Sequence, residues 1–224
     1  MQKVSGLLLG LLLASAAAGQ VTTHQFTSQE LAAISRVCGA SLVRAGSEHD
    51  MEISAFNRLT AAMREKGWGQ RAMVIALTDS PQVNAFTHPS QQGRGGGLIC
   101  LPIAMVRFLQ DSDAELAAVI AHEMGHAIDD GCRRVWQSRR LEEQRMCEKR
   151  ADEIGFLLLV QAGYNPFAVA GAFGRLEMFS GDYSTGFLAR FRGLAQNHPI
   201  TPDRIADMRR MVVSYCGQNP EACR

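Results

Sequence analysis

The sequence predicts an α+β fold, mainly helical, with a small β-sheet beside one helix that carries two histidines. Three observations predict it. From Ser112 onward the apolar residues recur mostly at helical spacing. Two apolar runs, AMVIAL (72–77) and LICLP (98–102), have strand length and are bounded by turn residues. Helical patterning also precedes the first of these runs.

In chain order, MQKVSGLLLGLLLASAAAGQ opens with a positive Lys3, an apolar stretch over 7–13, and small residues at Ala16 and Ala18. This pattern predicts an export signal over 1–19, removed near Gly19 or Gln20; an uncleaved membrane anchor is the alternative. The stretch is short for a stable membrane span. A single domain is expected over 20–224, with N-terminal helices in 20–71 and the core in 72–224. FTSQELAAISRVCGASLVRA starts a helix from a polar cap at Thr27 or Ser28, and DMEISAFNRLTAAMREKGW gives a second, ended near Gly67. AMVIAL is a buried strand, and Asp79, Ser80 and Pro81 form a turn. VNAF (83–86) is a short extended segment, either an edge strand or a core strand. HPSQQGRGGG (88–97) is a flexible loop, LICLP a further strand, and IAMVRFL enters a helix. Ser112 and Glu115 match a capping box before a helix that runs to Asp130 and stops at Gly131. Another runs from Ser138 to Ala162, with Gly163 as its stop. Asn165 and Pro166 open a third. Residues 179–197 are loop-like or hold broken helices, and Thr201 with Pro202 caps a last helix toward Tyr215.

Composition narrows the function. Hydrophobic residues make up 46% and charged residues 20%, as in a soluble globular protein. The net charge is +1, with no basic run or basic–aromatic stripe, so nucleic acid is not an expected partner. All six cysteines follow the signal, which suggests disulfides in an oxidising compartment, periplasmic or extracellular. The most local pairing is Cys216 with Cys223. Cys132 with Cys147 would tie one helix end to the next, leaving Cys38 with Cys100; free, buried thiols are the alternative.

On a helix over 112–130, His122 and His126 lie four apart and face the same way, so both can bind one ion. Imidazole nitrogen suits zinc, and Glu123 beside the first ligand can reach a water on that ion and act as its base. A catalytic zinc needs a third protein ligand. A histidine six residues after the second would serve, but Cys132 stands there. In CEKRADEIGFLLLVQAG (147–163), helical spacing places Leu141, Glu148, Asp152, Gly155, Leu159 and Ala162 on one face, most of it apolar. Carboxylates there are costly to bury unless paired or metal-bound. Glu148 is the expected third ligand, and Asp152 the acceptor for the second ring N–H of a ligating histidine. The alternative is a solvated edge with Arg145, Lys149 or Arg150.

HEMGH, then EKRADEIGFLLLVQAGYNP, then HPITPDRI, together with SPQVNAFTHP and GGGLIC before them, resemble in order the HtpX-like and CAAX-prenyl-protease family of zinc peptidases. The likeness runs from about Ser80 to Met211 and is closest to the soluble, exported bacterial members. It implies a gluzincin metallopeptidase fold with one Zn2+ per chain on His122, His126 and Glu148, Glu123 as base and Asp152 behind the ligands. It implies an endopeptidase acting on unfolded or misassembled envelope or extracellular polypeptides; the alternative is a zinc-containing chaperone or assembly factor. His198, before Pro199, matches the family's H-P element; it either stabilises the oxyanion or fills the fourth zinc position in a closed state. Asn84, Ala85 and Phe86 are candidates for pairing with an extended substrate, and Arg204 for orienting a substrate carbonyl or a carboxylate, with a surface salt bridge as the alternative for Arg204. The chain departs from the family in two places. Only 21 residues separate His126 from Glu148, and the segment after Asn84-Ala85-Phe86 is unusually polar and glycine-rich.

Overall fold

The computed structural model describes residues 11–14, 26–44, 46–68, 72–89, 96–129, 131–132, 141–178, 198–199 and 201–224. Four strands form one sheet: β1 (Leu11–Ala14), β2 (Ala72–Thr78), β3 (Phe86–Pro89) and β4 (Gly96–Pro102), in the order β1-β2-β4-β3. β2 and β4 run parallel, whereas β1 and β3 are antiparallel to their neighbours. β1 comes from the segment read as a leader; β2, β4 and β3 make the sheet beside the central helix.

Alternation along these strands gives the sheet two apolar faces. Ala76, Cys100, Val74, Leu98 and Phe86 pack with Leu31 and Ile34 of helix α1 (Ser28–Cys38). Thr27 and Glu30 close a reciprocal capping box at the start of α1, and Cys38 at its end is bonded to Cys100. Met73, Ile75, Leu77, Ile99 and Leu101 point the other way, into the main core. Helices α2 (Asp50–Glu65), α4 (Asp113–Ile128), α5 (Leu141–Gln161) and α6 (Ala168–Glu177) build that core; the short α3 (Ile103–Phe108) follows β4 directly, and α7 (Pro202–Gln218) is followed by a 3-10 turn over Pro220–Cys223.

α4 is the centre of the molecule. Every residue from 116 to 128 is buried, because the sheet and α2 cover one side and α5 and α6 the other. A helix with no solvated side must be apolar or small all round. That accounts for LAAVIA, and it makes the His122, Glu123 and His126 that follow exceptional. The Ser112 hydroxyl accepts from the Glu115 N–H at the start of α4, while the Glu115 carboxylate pairs with Arg175 at 3.0 Å.

The third strand lies three residues later than the sequence predicts. Phe86 pairs with Cys100 and Pro89 with Gly97. Extending the ladder to Asn84 would oppose it to Pro102, which has no N–H and where the chain turns into α3. Val83 and Ala85 instead fill the core. His88 and Pro89 thus belong to a strand, not a loop. Leu141, placed on the buried face of its helix by spacing, is 69% exposed at the first turn of α5. Residues 133–140 and 179–197, the latter expected as a loop or broken helices, lie outside the described residues. Among the described residues no helix is long and apolar enough to cross a membrane. All three disulfides pair as expected from the sequence, Cys38–Cys100, Cys132–Cys147 and Cys216–Cys223.

Candidate metal centre

α4 and α5 cross at unusually close range, and glycine makes this possible. A Cβ on Gly125 would fall 2.5 Å from the Ala151 carbonyl oxygen; one on Gly155 would fall 2.9 Å from the His122 nitrogen. With backbones this close, one turn of α4 (His122, His126) faces one turn of α5 (Glu148, Asp152). All four side chains are buried.

Their polar atoms converge. His122 Nε2 lies 3.1 Å from His126 Nε2 and 3.5 Å from Glu148 Oε2, and His126 Nε2 lies 3.3 Å from Glu148 Oε1. His198 Nδ1 joins them, 3.2 Å from Glu148 Oε2 and 3.4 Å from His122 Nε2. Donor atoms of His122, His126, Glu148 and His198 all lie within 4.8 Å of one another. A tetrahedral zinc with donor bonds of about 2.0–2.1 Å requires edges of about 3.3 Å between its donors. The observed separations bracket that value, and three imidazoles with one carboxylate suit the ion chemically, so the residues fit a zinc site.

The surrounding groups hold these donors in place. Asp152 Oδ1 sits 2.9 Å from His122 Nδ1, an ion-pair contact that leaves Nε2 facing the centre. Arg204, from the first turn of α7, donates from Nε and Nη2 to the two Asp152 oxygens at 2.9 and 2.7 Å, and its Nη1 is 2.9 Å from Glu148 Oε2. It is 8% exposed, and its cationic group also lies 5.2 Å from the Phe173 ring. Of the readings open to Arg204, orienting a carboxylate is the one these contacts fit: Arg204 holds both buried carboxylates. The solvated-edge alternative does not hold: Lys149 pairs with Asp207 and Arg150 with Asp129.

Glu123 points to the same centre from α4. The Thr87 hydroxyl of β3 lies 2.8 Å from both Glu123 Oε2 and the Glu123 carbonyl oxygen. Glu123 Oε1 is left facing His198 Nε2 at 3.5 Å. Sequence reasoning missed Thr87; the strand alternation that turns it to the core side, opposite to Phe86, was the available signal. Asn84 and Ala85 are buried before β3 begins, and the Phe86 side chain packs toward α1, so these three do not join the cluster.

Charge within this cluster of side chains is strongly redistributed. Burial alone would lower the His122 pKa, but the Asp152 and Glu148 carboxylates, as acceptors and as negative charges, reverse this and raise it to about 10. Burial would likewise lower His198, and the negative charges of Glu148 and Glu123 raise it instead. His126 is lowered, because burial dominates and the charge of His122 adds to it. Against their own desolvation, Glu148 is held well below the carboxylate range by His198, His122 and His126, and Asp152 is lowered by His122 and Arg204.

Over residues 54–142 and 133–212 the chain matches peptidase family M48, most of its length. It belongs to that family. M48 metallopeptidases use zinc, and the buried histidines and glutamate are the donors such an ion requires. The chain is also 28% identical over 142 residues to the mitochondrial metalloendopeptidase OMA1 of Arabidopsis thaliana. That match covers 51% of this M48 chain and 28% of the plant protein, so the chain spans less than a third of that relative.

Proposed function

We propose that this M48 protein is a zinc-dependent endopeptidase of the HtpX-like, soluble and exported type, cleaving unfolded or misassembled envelope or extracellular proteins. The observation that carries the catalytic part is the buried quartet of donors with the Glu123 carboxylate beside it. In this reading the Glu123 carboxylate serves to move a proton rather than to hold the ion. The leader-like N-terminus and three disulfides support export.

In this reading His122, His126 and Glu148 hold one zinc ion. Such an ion supplies Lewis acidity toward a peptide carbonyl and lowers the pKa of water to about 7. Glu123 Oε1 takes the proton of the attacking water and returns it to the leaving amine. Thr87 anchors Oε2, so the carboxylate meets the reacting water in a single orientation. Asp152 keeps His122 in the tautomer that ligates through Nε2, and Arg204 neutralises the carboxylate pair. Of the two roles open to His198, we favour the fourth donor: its Nδ1 would complete the set around such an ion, and the arrangement is then a closed resting state. In that state the His198 imidazole must leave the donor set before a substrate carbonyl can enter.

Zinc content and chelator-sensitive casein cleavage, compared between wild type and Glu123→Gln, test this proposal. The variant is expected to retain one zinc per chain and to lose cleavage. Zinc binding with unchanged biological activity in Glu123→Gln would instead favour a zinc-containing assembly factor on the same fold.

A further inference from the structure

We propose that Arg204 is the positioning residue that latches His198 onto the metal-binding quartet, so that one side chain sets both the carboxylate geometry and the closed state of the site. The inference rests on the metal-site reading above. Arg204 spans three separate pieces of chain. Its Nε and Nη2 bind both oxygens of Asp152, while its Nη1 is shared between Glu148 Oε2 at 2.9 Å and the Pro199 carbonyl oxygen at 3.0 Å. Pro199 directly follows His198, so this last bond fixes the backbone that delivers the imidazole. Among the described residues it is the hydrogen bond that ties the backbone of 198–199 to the body of the protein. Other than it, the polar contacts of this pair run from the His198 ring to the quartet and Glu123. Thr201 accepts from the Arg204 N–H at 3.3 Å and pins the base of the same turn.

A guanidinium is suited to this task, since its planar fork directs five donors at fixed angles. A lysine ammonium keeps the charge between Glu148 and Asp152 but cannot hold both carboxylates and the Pro199 carbonyl in one plane. The charge and the latch are therefore separable by substitution. When the latch releases, the bonds from Arg204 to Asp152 remain, so His122 stays oriented while His198 leaves.

The test uses the Co2+-loaded full chain and acetohydroxamate, a small chelating probe that needs an open coordination position. Hydroxamate affinity and the cobalt visible spectrum are compared for wild type, His198→Ala, Arg204→Lys, Arg204→Gln and the double variant His198→Ala/Arg204→Lys, with thermal unfolding as a fold check. Arg204→Lys is expected to bind the probe about tenfold more tightly than wild type, because the fraction of open sites rises. Its spectrum is expected to match that of His198→Ala, and the double variant to bind no tighter than His198→Ala alone. Arg204→Lys with wild-type spectrum and probe affinity, even at a reduced melting temperature, would overturn the latch. So would loss of fold in both Arg204 variants, which would make Arg204 a structural cation. Failure of the wild-type chain to take up Co2+ would instead sink the metal-site reading itself.

Discussion

His122 is placed between Asp152 and Glu148, and in the metal-free protein it carries a proton up to a pKa of about 10. Zinc binding requires that proton to leave. Zinc uptake at pH 8 is therefore expected to release at least one proton per ion, read by titration calorimetry in two buffers of different ionisation enthalpy. Uptake without net proton release would contradict the protonation state described. The same shift has a sign for stability. His122 is raised in the folded state, so its contribution to the metal-free protein is complete below about pH 6.5, its unfolded value, and is lost as pH rises through about 10. Glu148 and Asp152 are lowered, so their contribution is present above about pH 4 and is lost as pH falls through their folded values. Thermal melts of chelator-treated protein are expected to show both limbs. At Glu123, Thr87→Val removes the hydroxyl anchor; kcat should fall about tenfold, the scale of one hydrogen bond to a charged group, with zinc content unchanged. Equal kcat would show that Thr87 does not orient Glu123.

At the scale of elements, the crossing of α4 and α5 decides whether the four side chains meet. Gly125→Ala and Gly155→Ala each insert a methyl where backbone already stands, and overpacking of this kind costs about 1–3 kcal/mol. Each variant is expected to lose that much in urea unfolding and to bind zinc more weakly, because the helices carrying the ligands are wedged apart. A stable Gly125→Ala chain with native zinc affinity would show that the close approach is not required. Most element boundaries were legible, because capping residues and 3.6-residue periodicity are local signals: Thr27, Ser112 and Thr201 all cap the helices they precede. The His122/His126 pair and the Glu148/Asp152 face could be read for the same reason. The start of β3 was not legible, since it depends on Pro102 in the partner strand. Nor was the exposure of Leu141, which depends on what packs beside the first turn of α5.

Across the whole molecule, the centre depends on segments distant in sequence. Glu123 takes its orientation from a strand 36 residues earlier, and Asp152 is bound by an arginine 52 residues later. Periodicity does not name partners across such distances: alternation turns Thr87 toward the core but does not point to Glu123, and for Arg204 the sequence left a substrate carbonyl and a carboxylate both open. The Cys132–Cys147 bond acts at this scale too. It joins the chain just after α4 to the residue preceding Glu148, across a separation of 15 residues. Replacing both cysteines with serine should destabilise the protein by about 3 kcal/mol, the chain-entropy value for a loop of that size. Zinc affinity should fall as well, because Glu148 loses its covalent tether to the histidine helix; competition with a chromophoric chelator reads this. The central claim is that α4 and α5 bring one ion onto His122, His126 and Glu148. Anomalous diffraction at the zinc edge from zinc-loaded crystals tests it most directly. The expected result is one strong peak per chain, bonded to Nε2 of His122, Nε2 of His126 and the Glu148 carboxylate. A peak elsewhere, or none in this pocket at saturating zinc, would contradict the account.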